Sequence, residues 1–392
     1  MAERPVPTSS ALRARVHGAG PTGALAALAL VDAGWEVELI DPLSAEQLQE
    51  RSRAYAITHS SRLLLEGLGL WQPLQASLAP FRRLELCDRA LGLQVPFARS
   101  DLWGADLLGG QGDAVGWILQ HRPLMGVLLE AAGRQPQLRL NLGQGALPSE
   151  GPVDLCVAAD GHGSPLRKAS AIRHFSRPYR QGCLTVQVRL RGSEADQAWE
   201  LFRPEGPFAV LPLGGDAFQL VWSAPLSKLR QLEQLDGVAF LDALSAALPD
   251  QLQAEVLLDQ PRAFPVALEW AWPLQRRRTL LVGEVAHRCH PVGGQGLNLC
   301  WRDVAELRRL AARVSAGRLP VRQLCGLYAR RRWLDIALVL FATDALVRLF
   351  SNRSPLLLPL RHVALGALGR WGWMRQLSLR AMSDGPCRLW TP

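Results

Sequence analysis

An α/β fold is predicted, and three observations predict it. A short strand from Ala14 runs into a glycine turn, then into a helix over Thr22 to Ala33, then into a second strand over Glu36 to Ile40, which is a βαβ opening. Val153 to Ala159 and Leu280 to Gly283 are short apolar runs that read as further buried strands, each leading into a glycine-containing loop. Between them, residues 181–223 alternate apolar and polar side chains (Leu184, Val186, Val188, then Phe208 to Leu213 and Phe218 to Trp222). That period of two belongs to an antiparallel sheet with one wet face.

The elements follow in order. Residues 1–11 read as a polar tail. Residues 61–80 read as helix with a break at Gly67–Gly69, residues 81–111 as a mixed Gly- and Arg-rich excursion, and Trp117 to Ala132 as helix from its 3–4 apolar spacing. A helix follows from about Gly296 to Val314, and everything after Gly326 reads as helical, rich in Leu, Trp and Arg. At 392 residues the chain is too long for one ordinary core. The expected division is a discontinuous nucleotide-binding domain (12–80, 112–171 and 276–330), an inserted sheet domain (81–111 and 172–275) and a C-terminal helical region (331–392).

Composition narrows the classes. With 48% hydrophobic and 20% charged residues the chain is globular rather than disordered. The seven cysteines are scattered without a CxxC pair, which argues against a disulfide framework or a zinc site and fits a reducing, cytoplasmic setting. The net charge of +9 is compatible with nucleic acid, an anionic membrane surface or anionic cofactors. Zinc fingers and basic runs interleaved with aromatics are missing, so nucleic acid is set aside. Arg13, Arg15 and the apolar stretch Ala24 to Val31 imitate a secretory signal, but the intervening glycines fit a nucleotide turn better. The most apolar candidate for a membrane span, Trp333 to Phe350, is interrupted by Asp335, Asp344 and Arg348.

Three motifs carry chemistry. Gly18-Ala19-Gly20-Pro21-Thr22-Gly23 joins the first strand to the first helix, and Asp41 ends the second strand. Gly18 permits the tight turn, Gly20 lets a pyrophosphate approach the backbone and Gly23 allows close helix packing, while Asp41 is placed for ribose hydroxyls. This is a Rossmann-type dinucleotide site, and taken alone it does not separate FAD from NAD. Asp160-Gly161-His162-Gly163-Ser164-Pro165-Leu166-Arg167 reads DGxxSxxR after a strand. Gly283-Glu284, then His290-Pro291-Val292-Gly293-Gly294-Gln295-Gly296-Leu297-Asn298 and Arg302-Asp303, place a glycine-rich turn at a helix start. There the unpaired N–H groups suit an anionic reduced isoalloxazine.

The order GxGxxG, DGxxSxxR and a GD-type motif ending in HPxxGQGxN resembles that of the FAD-dependent aromatic hydroxylases of the p-hydroxybenzoate hydroxylase type. The resemblance is closest to the ubiquinone-biosynthesis branch acting on polyprenylphenols. Arg53-Ala54-Tyr55-Ala56-Ile57 with Leu68-Gly69-Leu70-Trp71, Gly116 to Arg122, and Thr343 to Asn352 with Pro359 and Arg361 extend it over nearly the whole chain. By this resemblance Gly18, Gly20, Gly23 and Asp41 bind the ADP half of FAD, and Arg53 and Arg122 flank the cofactor. Asp160 and Gly161 reach FAD through a loop that helps position NAD(P)H. Glu284 bonds the ribityl or pyrophosphate region. Pro291, Gly294, Gln295 and Gly296 shape the loop at the flavin, where Leu297 and Asn298 offer backbone N–H groups. Pro291 and Arg53 are the best candidates for residues at the reactive edge of the ring.

The chemistry implied is NAD(P)H reduction of FAD, formation of a C4a-hydroperoxide with O2, and oxygen transfer to an electron-rich phenol, with the protein excluding water. Any phenol-activating base would come from the 181–275 sheet, and no residue is singled out there. His287 and His290 read as loop-shaping residues, and no metal site is expected. Phe202, Phe208, Trp222 and Phe264 are candidates for the pocket wall, with plain core packing the alternative for each. The partners implied are a lipid-tailed or other phenolic substrate and O2, with a membrane surface, a second copy or a biosynthetic complex behind the Trp/Arg/Leu-rich tail (Arg330-Arg331-Arg332-Trp333, Arg370-Trp371-Gly372-Trp373). Rival readings are an isoprenoid reductase, a halogenase, of which Trp270-Ala271-Trp272-Pro273 is a partial echo, and a non-catalytic flavin-binding subunit. Three departures stand out: Glu284 where Asp is usual, Cys300-Trp301 where a small residue and its neighbour are usual, and Arg51 where an acid commonly stands. Arg51 and Trp301 are expected to reshape the substrate entrance.

Overall fold

A computed structural model describes residues 11–102, 114–143, 151–352 and 354–387. The first ten residues of the expected polar tail, residues 103–111 of the expected excursion and residues 388–392 of the helical region lie outside the described residues.

The chain opens with β1 (Arg13–His17), α1 (Pro21–Asp32), β2 (Glu36–Asp41), β3 (Ala54–Ile57), α2 (His59–Gly67), α3 (Trp71–Leu74), β4 (Leu78–Phe81), β5 (Arg83–Asp88) and β6 (Leu93–Ala98). It continues with β7 (Gly116–Gln120), α4 (His121–Gly133), β8 (Leu138–Leu142), β9 (Leu155–Ala158), α5 (Pro165–Ala169), β10 (Arg173–Arg191), β11 (Gln197–Phe202), β12 (Phe208–Gly214) and β13 (Ala217–Pro225). Then come α6 (Leu226–Glu233), α7 (Gly237–Ser245), β14 (Gln253–Leu257), β15 (Arg262–Trp272), β16 (Gln275–Arg276), β17 (Thr279–Leu281) and β18 (His287–Arg288). Four helices close the chain: α8 (Gln295–Ser315), α9 (Val321–Phe350), α10 (Leu358–Arg370) and α11 (Gly372–Asp384).

Three sheets result. In the first, β17, β9, β1, β2 and β8 pair in parallel, with β16 antiparallel at one edge. Helix α1 is apolar nearly all round, from Ala24 to Leu30, because it lies between this sheet and α8. The second sheet runs β18-β15-β10-β13-β12-β11-β5-β6, with β14 on β10, and is antiparallel except where β11 and β5 pair in parallel. The third is β3-β7-β4. The architecture is therefore α/β, with a Rossmann-type parallel sheet, an antiparallel sheet placed between its segments, and a helical C-terminal region.

Two local expectations are corrected. Residues 116–120 form the central strand of the third sheet rather than the first turn of a helix, and the helix starts at His121. Trp117, Ile118 and Leu119 are all buried, and such a short, fully apolar run carries no period to tell strand from helix. Likewise, helix does not continue from 61 to 80: Leu78–Phe81 is a strand beside β7.

Candidate active site

The three glycines of the first turn divide their work. A Cβ on Gly18, which sits at φ 97°, would lie 2.4 Å from the Ala159 carbonyl oxygen, and one on Gly23 would lie 1.7 Å from the Gly18 oxygen. Both positions are required by the protein's own packing. In front of Gly20 there is nothing within 4 Å, so its bare backbone faces open space at the N-terminus of α1. Asp41 braces the turn: its Oδ2 accepts the Ala19 N–H at 2.7 Å and its Oδ1 the Leu43 N–H at 2.9 Å. Each oxygen retains a lone pair for a hydroxyl.

The second loop is built as a clamp. The Ser164 Oγ accepts the Arg167 N–H at 2.9 Å and caps α5. The buried Arg167 guanidinium donates to the carbonyls of His162 at 2.7 Å and Val285 at 2.8 Å. It thereby ties the second loop to the third. Asp160 Oδ1 is buried with no hydrogen-bond partner, and Gly161, at φ 82°, has open space beside it.

The third loop rests on a buried ion network. Asp303 accepts from His287 Nε2 and Arg332 Nε, both at 2.7 Å, and from the Gly283 N–H at 3.0 Å. Arg332 and Arg302 both reach Asp335, at 2.7 and 3.1 Å. Burial alone would raise the Asp303 pKa, but the charges of His287 and Arg332 outweigh it and hold the carboxyl at about 2. Arg332 is thus buried, a correction to its reading as part of a surface-facing basic cluster. Asn298 is fully occupied: its Nδ2 donates to the carbonyls of Ala56 and Gly294, and its Oδ1 accepts from the Thr58 N–H and Ser61 Oγ. The side chain fastens the loop to β3, and its backbone stands in the first turn of α8. His290 is buried, with Nδ1 accepting the Val292 N–H at 3.2 Å, and burial takes its pKa down to about 4. It shapes the loop as a neutral ring.

The third loop borders a cavity of about 290 Å³. Pro291, Gly293, Gly294, Gln295, Gly296, Leu297 and Glu284 form one side, Arg51, Arg53 and Tyr55 another, and the antiparallel sheet the third. Helix α11 contributes Leu379, Met382 and Ser383. Gly18, Gly20, Gly23, Asp41, Asp160, Gly161 and Asn298 do not line it; Pro21, at the start of α1, does. Arg122 is exposed in the first turn of α4 and is also outside the lining.

The sheet side corrects the expected wall. Register aligns Thr185 with Val221, Val221 with Ala209 and Ala209 with Glu200, and all four line the cavity. One residue over, Leu184, Trp222, Phe208 and Leu201 form the opposite row, packed with Leu229 of α6 and Phe240 of α7. Of the four aromatic candidates only Phe264 lines the cavity; Phe208 stacks on Trp222 at 5.1 Å and Phe202 on Phe350 at 4.1 Å. The signal to look for was the row one residue away from the large aromatic side chains, where Thr185, Ala209 and Val221 stand. Trp301 is also corrected: it is 1% exposed in the core under the first sheet, so Arg51 borders the cavity and Trp301 does not. Trp270 and Trp272 are partly exposed on β15 and outside the lining, as is Pro273. Among the described residues no cluster could hold a metal ion.

The residues fit an FAD. The unpartnered Asp160 oxygen, the open face of Gly20 and the first turn of α8 beside an apolar cavity are what a dinucleotide with a ring at one end requires.

Comparison with known proteins agrees. An FAD binding domain family model matches residues 149–333. The chain is 31% identical to the ubiquinone hydroxylase UbiL of Rhodospirillum rubrum, over 93% of this chain and 88% of that protein. It is 28% identical to the 3-demethoxyubiquinol 3-hydroxylase of Escherichia coli, over 93% and 96%. The fold matches p-nitrophenol 4-monooxygenase from Pseudomonas putida with a TM-score of 0.75 at 16% identity, over 96% of this chain and 98% of that one. The chain belongs to the FAD-dependent aromatic-ring monooxygenases, in the branch of the ubiquinone hydroxylases.

Proposed function

We propose that the protein hydroxylates the ring of a polyprenylphenol, a lipid-tailed quinone precursor. The observation that carries this reading is the cavity: a largely apolar space of about 290 Å³ between the third loop and the face of the antiparallel sheet that carries Thr185, Ala198, Ala209 and Val221. Bound FAD supplies two-electron reduction by NAD(P)H and activation of O2 for transfer of one oxygen atom. In this reading Gly18, Gly20, Gly23 and Asp41 hold the ADP half, Asp160 and Gly161 the middle, and Glu284 the ribityl chain. Leu297 and Asn298 present backbone N–H groups to the ring, and Pro291 and Arg53 border its reactive edge. Arg122 approaches from α4. The sheet and α11 keep water out while oxygen is transferred.

The substrate's tail suggests a membrane surface as its source. Phe341, Val363 and Trp373 on the C-terminal helices, and Leu356 in the turn between α9 and α10, are each more than 60% exposed, in a chain of net charge +9. No helix among the described residues is long and apolar enough to cross a membrane. Pelleting with anionic vesicles at low salt, lost at high salt, supports docking; a dimer that stays in the supernatant assigns this face to a second copy. The activity is tested by supplying NAD(P)H and a polyprenylphenol to the FAD-loaded protein and seeking a product one oxygen atom heavier. NAD(P)H consumption that yields only hydrogen peroxide with every phenol contradicts the reading.

A further inference from the structure

The substrate sheet carries one ionisable acid into the cavity. Glu200 sits at the middle of β11, in register with Ala209 on one side and Leu86 on the other, and the nearby cavity-facing positions Ala198, Ala209 and Val221 are apolar. The Gly293 N–H, in the third loop, points to its carboxyl. Glu200 therefore stands where the substrate sheet meets the loop at the flavin end. A carboxylate in such a place is costly to the fold, and burial raises its pKa to about 7 against the smaller opposing effect of that N–H. Residues that are expensive to keep and aimed into a cleft are candidates for function.

We propose that Glu200 is the acid–base residue of the reaction, accepting the phenolic proton of the substrate and returning it to the product. The inference rests on the hydroxylase reading above. In the forward step the phenol O–H bond breaks and a Glu200 O–H bond forms. The electron pair stays on the phenolic oxygen and enriches the ring carbons ortho and para to it, where the oxygen atom is delivered. After delivery the ring carbon's own proton goes to the second oxygen atom of O2, which leaves as water, and Glu200 returns the phenolic proton to the product. With NAD(P)H, O2 and one proton entering and one water leaving, the atoms balance and Glu200 ends as it began.

Among the cavity-lining acids of the sheet, Glu200 is the one that burial brings near neutrality; His287 also lines the cavity but is held by Asp303 through Nε2 at 2.7 Å, and burial raises the Tyr55 hydroxyl. Across the sheet, burial pushes the Cys183 and Cys87 thiols to about 12, and in the third loop it pushes Cys289 to about 12 and His290 to about 4, so all four are neutral at pH 7. Glu85, beside Leu86 on β5, is also raised by burial, but it does not line the cavity. Arg51, Arg53, Arg288 and Glu284 line the same cavity, yet burial and the Gly293 N–H are what set the Glu200 balance.

The test compares FAD-loaded wild type, Glu200→Gln and Glu200→Asp. In wild type the rate of product formation should rise with pH through about 7, because the base is the carboxylate. Glu200→Gln should retain FAD and form product at least about 100-fold more slowly, with NAD(P)H diverted to peroxide and the rise with pH gone. Glu200→Asp should recover part of the rate and keep a pH limb. A structural readout accompanies these. A raised carboxyl pKa makes folding less favourable as pH rises from about 4.5 to 7. The glutamine protein should therefore melt higher than wild type at pH 8, and the gap should close by pH 5. A residue kept only for its bond to Gly293 would melt lower when changed. Should the glutamine variant not fold, binding by the resting wild type decides, read from flavin absorbance: preference for a phenol over its methyl ether should grow through pH 7. A glutamine variant with wild-type rate or an unchanged pH limb, or a pH-independent preference, overturns the role of Glu200 while leaving the hydroxylase intact. A flavin-loaded wild type that hydroxylates no phenol removes the underlying reading, and this proposal with it.

Discussion

The two faces of the antiparallel sheet differ in what they leave undone. On one, Leu184, Trp222, Phe208 and Leu201 close against α6 and α7 in a filled core, with the Arg203 guanidinium over both aromatic rings at about 5 Å. On the other, Thr185, Val221, Ala209 and Glu200 stop short of their neighbours and leave a cavity. Both faces come from the same strands, one residue apart, so a period of two separates stability from recognition. The glycine turn repeats the division: Gly18 and Gly23 are required by packing, while Gly20 leaves room.

Six substitutions at five positions sharpen this contrast. The largest effect belongs to Gly20→Val, which should fold, because no protein atom lies within 4 Å of the new Cβ, and should lose FAD entirely. Absorbance at constant protein concentration checks it, and retained stoichiometric flavin would remove this turn from the site. Trp222→Ala, on the filled face, should cost about 3–5 kcal/mol in denaturant unfolding. Its neighbour Val221→Ala, across the pleat, should cost less than about 1.5 kcal/mol and change substrate affinity instead. Similar losses in the two proteins would erase the distinction between faces. Ala209→Phe should leave the melting temperature near wild type while raising KM for the phenol more than about tenfold, since the ring would occupy the cavity. The smallest effect is expected at Glu284: Glu284→Leu should weaken FAD by about 1–3 kcal/mol by leaving hydroxyls without an acceptor, and Glu284→Asp should be tolerated. Equal affinity in all three proteins would exclude Glu284 from the site.

What was legible in the sequence follows the same line. Glycine loops announce themselves, because positions such as Gly18, Gly293 and Gly294 need a left-handed backbone or a missing Cβ, and few residues other than glycine meet that need. The three motifs, their order and the α/β class were readable on that ground. The substrate wall was not. Alternation reveals that a strand has two faces but not which one meets the flavin, and aromatic size pointed to Phe208 and Trp222 on the wrong side. Glu200 was hidden for a related reason: a lone acid in a strand looks like its solvent face until pairing with Ala209 and Leu86 puts it inside. Arg332 and Asp335 were read as part of a basic surface and an interrupted apolar helix, whereas they close the ion network under the third loop. Contacts between residues about 30 positions apart leave no local mark. Nor did composition reveal that α11 lines the cavity with Leu379 and Met382.

The central claim is that the cavity houses a ring into which one atom of O2 is inserted. Turnover of the FAD-loaded protein with NAD(P)H and a polyprenylphenol under 18O2, followed by mass spectrometry of the product, tests it most directly. The account predicts a product two mass units heavier than that formed under 16O2, carrying one labelled oxygen. A product whose new oxygen derives from water, or consumption of NAD(P)H with no oxygenated product from any phenol, would contradict it.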